Sequence, residues 1–347
     1  MQSPQYAMIK ALFLGLDELA PLETATPNVA FLRAMHSHEL MEYSSASAWR
    51  YEQSFAPYAN ALREGGFATS PDKITEQGSM NRVLYAATRF AEENLATMAR
   101  GWQMLKDDGW MVVAQHNDLG AKRLDAVLKQ LSPQRQSLSK FHCRAIAVQK
   151  TPDADAGLIE QWLYADAMQQ VEDVPLHAAA GMFSWRKVDK GSRFLVESLP
   201  ATLTGRGADI AAGWGYLSWA LLQSHPQIAH ITLYEAEKRA LDMAERNLAA
   251  HVDRCRFVWC DATRPLDNAG QGFDWAVMNP PAHDLLQTTP EASAAIFAAT
   301  VKALKPGGTL YMVANRHLPY ERTLDQLFSH LAITHENHEF KIIEAVR

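Results

Sequence analysis

Cysteine is scarce in this chain: Cys143, Cys255 and Cys260 are the three in 347 residues, and none forms a CxxC pair. An odd, scattered set excludes a disulfide framework and a thiolate zinc ribbon. His251 with Cys255 and Cys260 does not make a zinc site, and His335 and His338 in HENHE lack the HExxH spacing, so no metal is expected. Long apolar runs are missing too. Nothing approaches the roughly 20 residues of a membrane span, and the start, MQSPQYAMIK, lacks the basic-then-apolar plan of a secretory signal. The expected location is the cytoplasm, with no membrane partner. Positive charge is in short supply: 33 Lys+Arg face 39 Asp+Glu, for a net charge of -6. That balance is awkward for nucleic-acid binding but leaves room for a local basic face. Arg186, Lys187, Lys190, Arg193 and Arg206 form a basic run diluted by Asp189 and Glu197, with an ordinary solvated surface as the competing reading.

What the chain does have is alternation. In the second half, apolar strands are predicted at Ala208–Ala211, His230–Tyr234, Arg256–Cys260, Asp274–Met278 and Thr309–Ala314. Helices are predicted at Tyr216–Gln223, Ala236–Ala250 and Ala292–Leu304, and two closing strands fill Leu331–Arg347. Strands alternating with helices mean parallel pairing and helices on both faces, hence a doubly wound α/β sheet of seven mostly parallel strands. The first half echoes it once: MLKDDGWMVVA (Met104–Ala114) resembles ALKPGGTLYMVA (Ala303–Ala314), and Leu124-Asp125 then falls on Leu324-Asp325. A weak repeat in preserved order predicts two tandem domains, 1–170 and 171–347, the first degenerate. The linker region is expected to start at TPDADA (Thr151–Ala156), with the second unit entered near Phe183.

The chemistry concentrates at predicted strand ends. In VMNPPAHD (Val277–Asp284) a strand runs into Asn279-Pro280-Pro281; proline cannot donate to a sheet ladder, so the strand stops there and a stiff polar loop begins. In DIAAGWG (Asp209–Gly215), Gly213 and Gly215 lie between a strand and a helix start, where backbone can approach a cofactor. Glu235 and Asp261 end the next two strands. One carboxylate there accepts ribose hydroxyls and the other an adenine amine, although each is also an ordinary turn or cap residue. A nicotinamide enzyme would share the acid after the second strand. It has no reason to carry NPPAHD, which favours S-adenosylmethionine.

With these residues in view, Phe183–Arg347 resembles the class I S-adenosylmethionine-dependent methyltransferases, and among them the RsmC-type and RlmG-type ribosomal RNA guanine-N2 methyltransferases. FSWRKVDKGSRFLVESL, DIAAGWG, NPPAHD and VANRHLPYE (Val313–Glu321) carry the likeness. It implies a degenerate N-terminal methyltransferase-like domain, which contacts RNA or supports its neighbour, before a catalytic one. The implied cofactor site is Asp209, Ala211, Gly213, Gly215, Glu235, Asp261 and Asn279. The implied catalytic loop is Asn279, Pro280, Pro281 and His283. Arg186, Arg193, Ala282 and Arg316 are the implied substrate contacts, and ribosomal RNA of the small subunit is the implied partner of a monomeric enzyme.

In this reading the Asn279 side-chain oxygen and the Pro280 carbonyl accept both hydrogens of a guanine amine, a poor nucleophile, and aim its nitrogen at the methyl donor; such orientation contributes up to roughly 7–11 kcal/mol in the best models. Ala282 stands where related loops carry a ring, leaving Trp185 and Trp214 as candidate platforms for the base, and Ala211 replaces the first glycine of the cofactor loop. His283 either orients substrate or packs the loop, and Arg316 either meets a phosphate or forms a surface salt bridge. Two other functions stay open: a non-catalytic RNA-binding module, and methyl transfer to another amine, on a protein glutamine, a DNA adenine or a small molecule. In the first domain neither a glycine loop followed by a strand-end acid nor a bound cofactor is expected.

Overall fold

The structure is a computed structural model that describes residues 4–23, 27–43, 48–267, 270–281 and 289–347. The chain divides into two compact units, Met1–Ala167 and Met168–Arg347. In the first, strands β1 (Val29–Leu32), β2 (Trp49–Glu52), β3 (Thr69–Ser70), β4 (Met80–Ala86), β5 (Leu105–His116), β6 (Arg135–Lys140) and β7 (Cys143–Gln149) form one sheet in the order β3-β2-β1-β4-β5-β7-β6. Helices α1 (Pro4–Leu19), α2 (His38–Glu42), α3 (Ala56–Glu64), α4 (Ala91–Met104), α5 (Ala121–Leu128) and α6 (Ala156–Leu163) accompany it. Two cores result, one around Phe13, Phe31 and Leu84, the other around Tyr85, Trp102 and Val113. Neighbouring residues of one strand serve opposite cores, as the two-residue period requires. TPDADA does not mark the passage between units: α6 follows it, and Trp162 is buried in the second of these cores.

The second unit opens on a short hairpin, β8 (Gln169–Gln170) and β9 (His177–Ala178), whose surroundings bury Val171, Leu176 and Met182 against Trp214, Ala240 and Met243. The unit is therefore packed well before Phe183, where the sequence suggests its entry. Its sheet consists of β10 (Gly205–Ile210), β11 (Ile228–Glu235), β12 (Cys255–Trp259), β13 (Phe273–Met278), β14 (Leu304–Asn315), β15 (His330–Glu336) and β16 (Phe340–Val346). Their order, β12-β11-β10-β13-β14-β16-β15, is the order of the first unit. Helices α7 (Lys190–Ser198), α8 (Tyr216–Ser224), α9 (Lys238–Asn247), α10 (Pro290–Ala303) and α11 (Glu321–Leu324) complete it. Five strands run parallel, and the two predicted closing strands pair antiparallel, β16 with β14 and β15 with β16. α9 ends at Asn247, short of the predicted Ala250, where the chain passes into a 3-10 turn over Ala249–Arg254; the Asn247 side chain donates to the carbonyls of Trp214 and His177, both at 2.8 Å, and accepts from His177 N–H at 2.9 Å.

The sequence repeat has a structural cause. β5 and β14 occupy equivalent places, each entering beside its central partner strand through a register shift. A Cβ on Gly109 would lie 3.0 Å from the Met80 carbonyl oxygen, and one on Gly308 2.9 Å from the Phe273 carbonyl oxygen. Both glycines let one strand start close against the next. Leu124 and Leu324 are both buried on the short helices that follow. The units are thus two seven-stranded α/β sheets of one topology.

Candidate active site

The order of the second sheet reverses between β10 and β13, the switch point at which the loops beyond the strand ends diverge and leave a crevice. Ile210 lies beside Met278 in register, so Ala211 and Asn279 leave the sheet side by side. Tyr234 lies beside Ile210, which puts Glu235 next in the row. Glu235 in turn pairs with Trp259, two residues before Asp261. Tertiary structure therefore gathers Ala211, Gly213, Glu235, Asp261 and Asn279 at one sheet edge.

Asn279 is held by groups that sequence reading did not single out. Its Nδ2 donates to Asp189 Oδ2 at 2.9 Å and to Ser192 Oγ at 2.8 Å. Asp189 also caps α7, accepting from Ser192 N–H at 2.8 Å. The signal was present in VDKGS: an aspartate three residues ahead of a serine at a helix start is a capping pattern. Pro280 and Pro281 follow outside the strand, Pro280 buried and Pro281 exposed. Ala282 and His283 lie outside the described residues.

The glycine loop has the shape its position demands despite the alanine. Ala211 adopts φ 61°, Gly213 57° and Gly215 89°. A left-handed alanine costs roughly 1–2 kcal/mol, so Ala211 keeps a glycine's conformation under modest strain. Gly213 has open space where a side chain would stand, whereas a Cβ on Gly215 would lie 3.0 Å from the Ala244 methyl. Glu235 fixes the loop: Oε2 accepts from Gly213 N–H and Oε1 from Glu237 N–H, both at 2.8 Å. Burial pushes its carboxyl above the usual range, against the pull of those N–H groups. Asp261 is the turn residue that its type allows. Its Oδ1 accepts from Thr263 N–H and Oγ1, while Oδ2 faces Arg264 at 3.4 Å.

Asp209 is placed differently from a surface ligand. Its carboxylate is fully buried, with Oδ2 accepting from Ser218 N–H at 3.1 Å and Ser218 Oγ at 2.7 Å, and with Oδ1 buried and unpartnered. Desolvation raises its pKa to about 7. It anchors the start of α8 beneath the loop, which makes its effect on any ligand indirect. Trp214 is likewise no exposed platform: it is 4% exposed, and its Nε1 donates to the Phe183 carbonyl at 2.8 Å. Trp185 carries the Arg186 guanidinium 4.3 Å from its ring centre. The exposed ring beside this loop is Phe183, 56% accessible.

The basic run does not make one bare patch. Lys187 faces Glu172, Lys190 faces Glu339, and Arg193 faces Asp173 at 3.8 Å. Arg206 lies in the first half of β10, away from the strand ends that carry the crevice. Arg316 sits 3.8 Å from Glu336, the surface pair anticipated as its alternative role. HENHE spans the end of β15 and the turn into β16, and among the described residues no cluster of histidine, cysteine and carboxylate groups is placed to hold a metal. Nor does any described helix have the length and apolarity to cross a membrane.

The first unit repeats this edge in altered form. Arg33, at φ 52°, follows β1 as Ala211 follows β10, and Glu52 ends β2 as Glu235 ends β11. A strand-end acid is therefore present, but without the glycine loop that precedes its counterpart in the second unit. It is engaged internally, bound by Arg100 at 2.6 and 2.7 Å and by Ile74 N–H at 2.8 Å, while Arg33 pairs with Glu93 at 2.9 Å. Ion pairs fill the place that the second unit leaves to a glycine loop.

Comparison with known proteins agrees with this geometry. Residues 173–344 match the family model of the methyltransferase small domain. The second unit of this chain is a methyltransferase domain of that family. The chain is similar to the ribosomal RNA small subunit methyltransferase C of Shewanella amazonensis, 28% identical over 240 residues, or 69% of each chain. The protein of that description from Photorhabdus laumondii is 33% identical over 178 residues, 51% of this chain and 52% of the other. Among solved structures, the T. thermophilus 16S rRNA N2 methyltransferase RsmC in complex with AdoMet and guanosine superposes with a TM-score of 0.81. The match covers 98% of this methyltransferase and 91% of that chain at 19% identity, and shows that the fold is shared through both units.

Proposed function

We propose that this methyltransferase transfers a methyl group from S-adenosylmethionine to the exocyclic N2 amine of a guanine in small-subunit ribosomal RNA, in the cytoplasm and as a monomer. The observation that carries the reading is the anchored Asn279: with its NH₂ group committed to Asp189 and Ser192, its Oδ1 is left without a partner among the described residues. The relatives' printed names supply the acceptor class.

The loop residues fit the cofactor. Glu235 is pinned by two backbone N–H groups, yet each carboxylate oxygen keeps lone-pair capacity for a ribose hydroxyl. The open side of Gly213 allows close approach of the ligand to the backbone, and Asp261 Oδ2 keeps capacity for an adenine amine. When bound, S-adenosylmethionine supplies an electrophilic methyl group on a sulfonium. Asn279 Oδ1 and the Pro280 carbonyl accept the two hydrogens of the guanine amine, which turns its lone pair out of the ring plane and toward the methyl carbon. The bound donor would give its methyl to that nitrogen, with sulfur keeping the bonding electrons of the broken S–C bond, and the surplus proton on nitrogen would leave to water. A paired guanine has to be extruded first. The N-terminal unit, with its own acids engaged by arginines, contacts RNA or supports the catalytic unit.

The test is methylation of 16S rRNA lacking the modification, with nucleosides analysed by mass spectrometry. N2-methylguanosine in the product supports the reading, and Asn279→Ala is expected to lower kcat ~100-fold or more, in line with the cost of misplacing a reacting group. Methylation confined to adenine or to protein would refute it. Light scattering at working concentration checks the monomer.

A further inference from the structure

We infer that Asp189 and Ser192 are positioning residues for methyl transfer: a carboxylate and a hydroxyl that lock the Asn279 carboxamide in one orientation and strengthen its oxygen as an acceptor. The inference rests on the reading that Asn279 receives the acceptor amine.

A carboxamide has nearly the same shape when flipped, so a loop asparagine left to itself presents either its NH₂ or its oxygen. Only one orientation serves an amine nucleophile. A carboxylate has no hydrogen to donate, so whatever lies 2.9 Å from Asp189 Oδ2 has to be the Asn279 NH₂ group. Ser192 Oγ, 8% exposed at the residue level, lies 2.8 Å from the same nitrogen. With the nitrogen turned inward, Oδ1 is the atom left for substrate. Donation to an anion also polarises the amide, which makes Oδ1 a better acceptor where positive charge develops on the attacking nitrogen.

Asp189 Oδ2 is at the same time the cap of α7, through Ser192 N–H at 2.8 Å. One oxygen thereby ties the start of α7 to the end of β13, across 90 residues of sequence. Ser192 reaches Asn279 because it sits in the first turn of that capped helix, where its backbone N–H meets the cap and its hydroxyl meets the amide.

The experiment uses the full chain with Asp189→Asn, Ser192→Ala and Ser192→Thr, and reads four quantities: kcat and KM on unmodified 16S rRNA, the S-adenosylmethionine Kd by calorimetry, Tm, and hydrogen exchange of the Asn279 side-chain NH₂ by NMR. Asparagine caps helices about as well as aspartate, so Asp189→Asn is expected to keep its Tm. Its kcat should fall at least ~10-fold with KM and Kd within about twofold, the signature of misaimed rather than lost binding. Ser192→Ala should lose about fivefold in kcat and Ser192→Thr should recover most of it. Exchange of the Asn279 NH₂ should quicken in Asp189→Asn and Ser192→Ala. Wild-type kcat and exchange in Asp189→Asn would overturn the inference, as would a loss of kcat matched by equal losses in Kd and Tm. Should the unmodified chain fail to methylate guanine while the variants still free the Asn279 amide, the substrate reading falls and the positioning role stands.

Discussion

At the scale of the residue, small departures from the expected motif are absorbed by geometry. Ala211 stands in the left-handed region at φ 61°, so its methyl group costs energy without changing the path of the loop. Ala211→Gly is expected to leave unfolding stability and S-adenosylmethionine affinity within about 1 kcal/mol of the parent, because relief of strain is offset by a more flexible unfolded chain. Ala211→Val, β-branched and far less tolerant of positive φ, should destabilise by more than about 2 kcal/mol and weaken the cofactor complex. Thermal unfolding and calorimetry of the pair check both. For the base platform, burial decides against Trp214, and Phe183 is the accessible ring. Phe183→Ala should weaken RNA binding by roughly 1–3 kcal/mol, the worth of one stacked base, with cofactor affinity unchanged. Equal RNA affinities by filter binding would remove Phe183 from the site. Motif spacing made Asn279, Glu235 and Asp261 legible, since each sits where an apolar run stops. It could not show Asp209 turning inward, because a strand-end acid looks the same in sequence whether it faces a ligand or the next helix.

At the scale of the element, the β10–α8 junction is where pH enters. Asp209 holds its proton up to about pH 7 in the folded chain, because burial disfavours its charge and the nearby Glu235 adds to that effect. An unfolded aspartate titrates near 3.9. Between about pH 4 and 7 the unfolded chain has released this proton and the folded chain has kept it. Stability therefore falls as pH rises through that window, by at most ~1.4 kcal/mol per pH unit, and levels off above it. Asp209→Asn keeps an acceptor for Ser218 and removes the titration. The variant should lose less stability than the parent from pH 5 to pH 7.5 in denaturant unfolding, and equal losses would refute the assignment. Helices and strands of the second unit were legible because their apolar periods are clean. Their ends were less so: α9 gives way to a 3-10 turn after Asn247, whose side chain bonds to a hairpin 70 residues away, a contact no local pattern announces.

At the scale of the whole molecule, the two units share one strand order yet differ in what their strand ends do. Each has cores of its own, so a chain cut to Met168–Arg347 is expected to fold and to bind S-adenosylmethionine with near-parent affinity. A cut at Phe183 should be markedly less stable, since it discards Val171, Leu176, Ala178 and Met182, which pack against Trp214 and Met243. Circular dichroism melts of the two fragments separate these outcomes. RNA affinity of the longer fragment, measured against the full chain, then tells whether the first unit contacts RNA. Fragment affinity equal to that of the full chain would leave it a supporting role only.

By itself, the sequence determined the alternation of elements, the tandem repeat and the residues that end each strand. These are local consequences of hydrophobic period, of glycine that admits close approach and of proline that stops a ladder. Only the tertiary structure decided which of those residues meet. The reversal of strand order sets Ala211 beside Asn279, α7 brings Asp189 and Ser192 to the amide, and Arg100 occupies Glu52 in the first unit. Contacts between residues so distant in the chain follow from packing two faces of a sheet at once, and no period along the sequence records them.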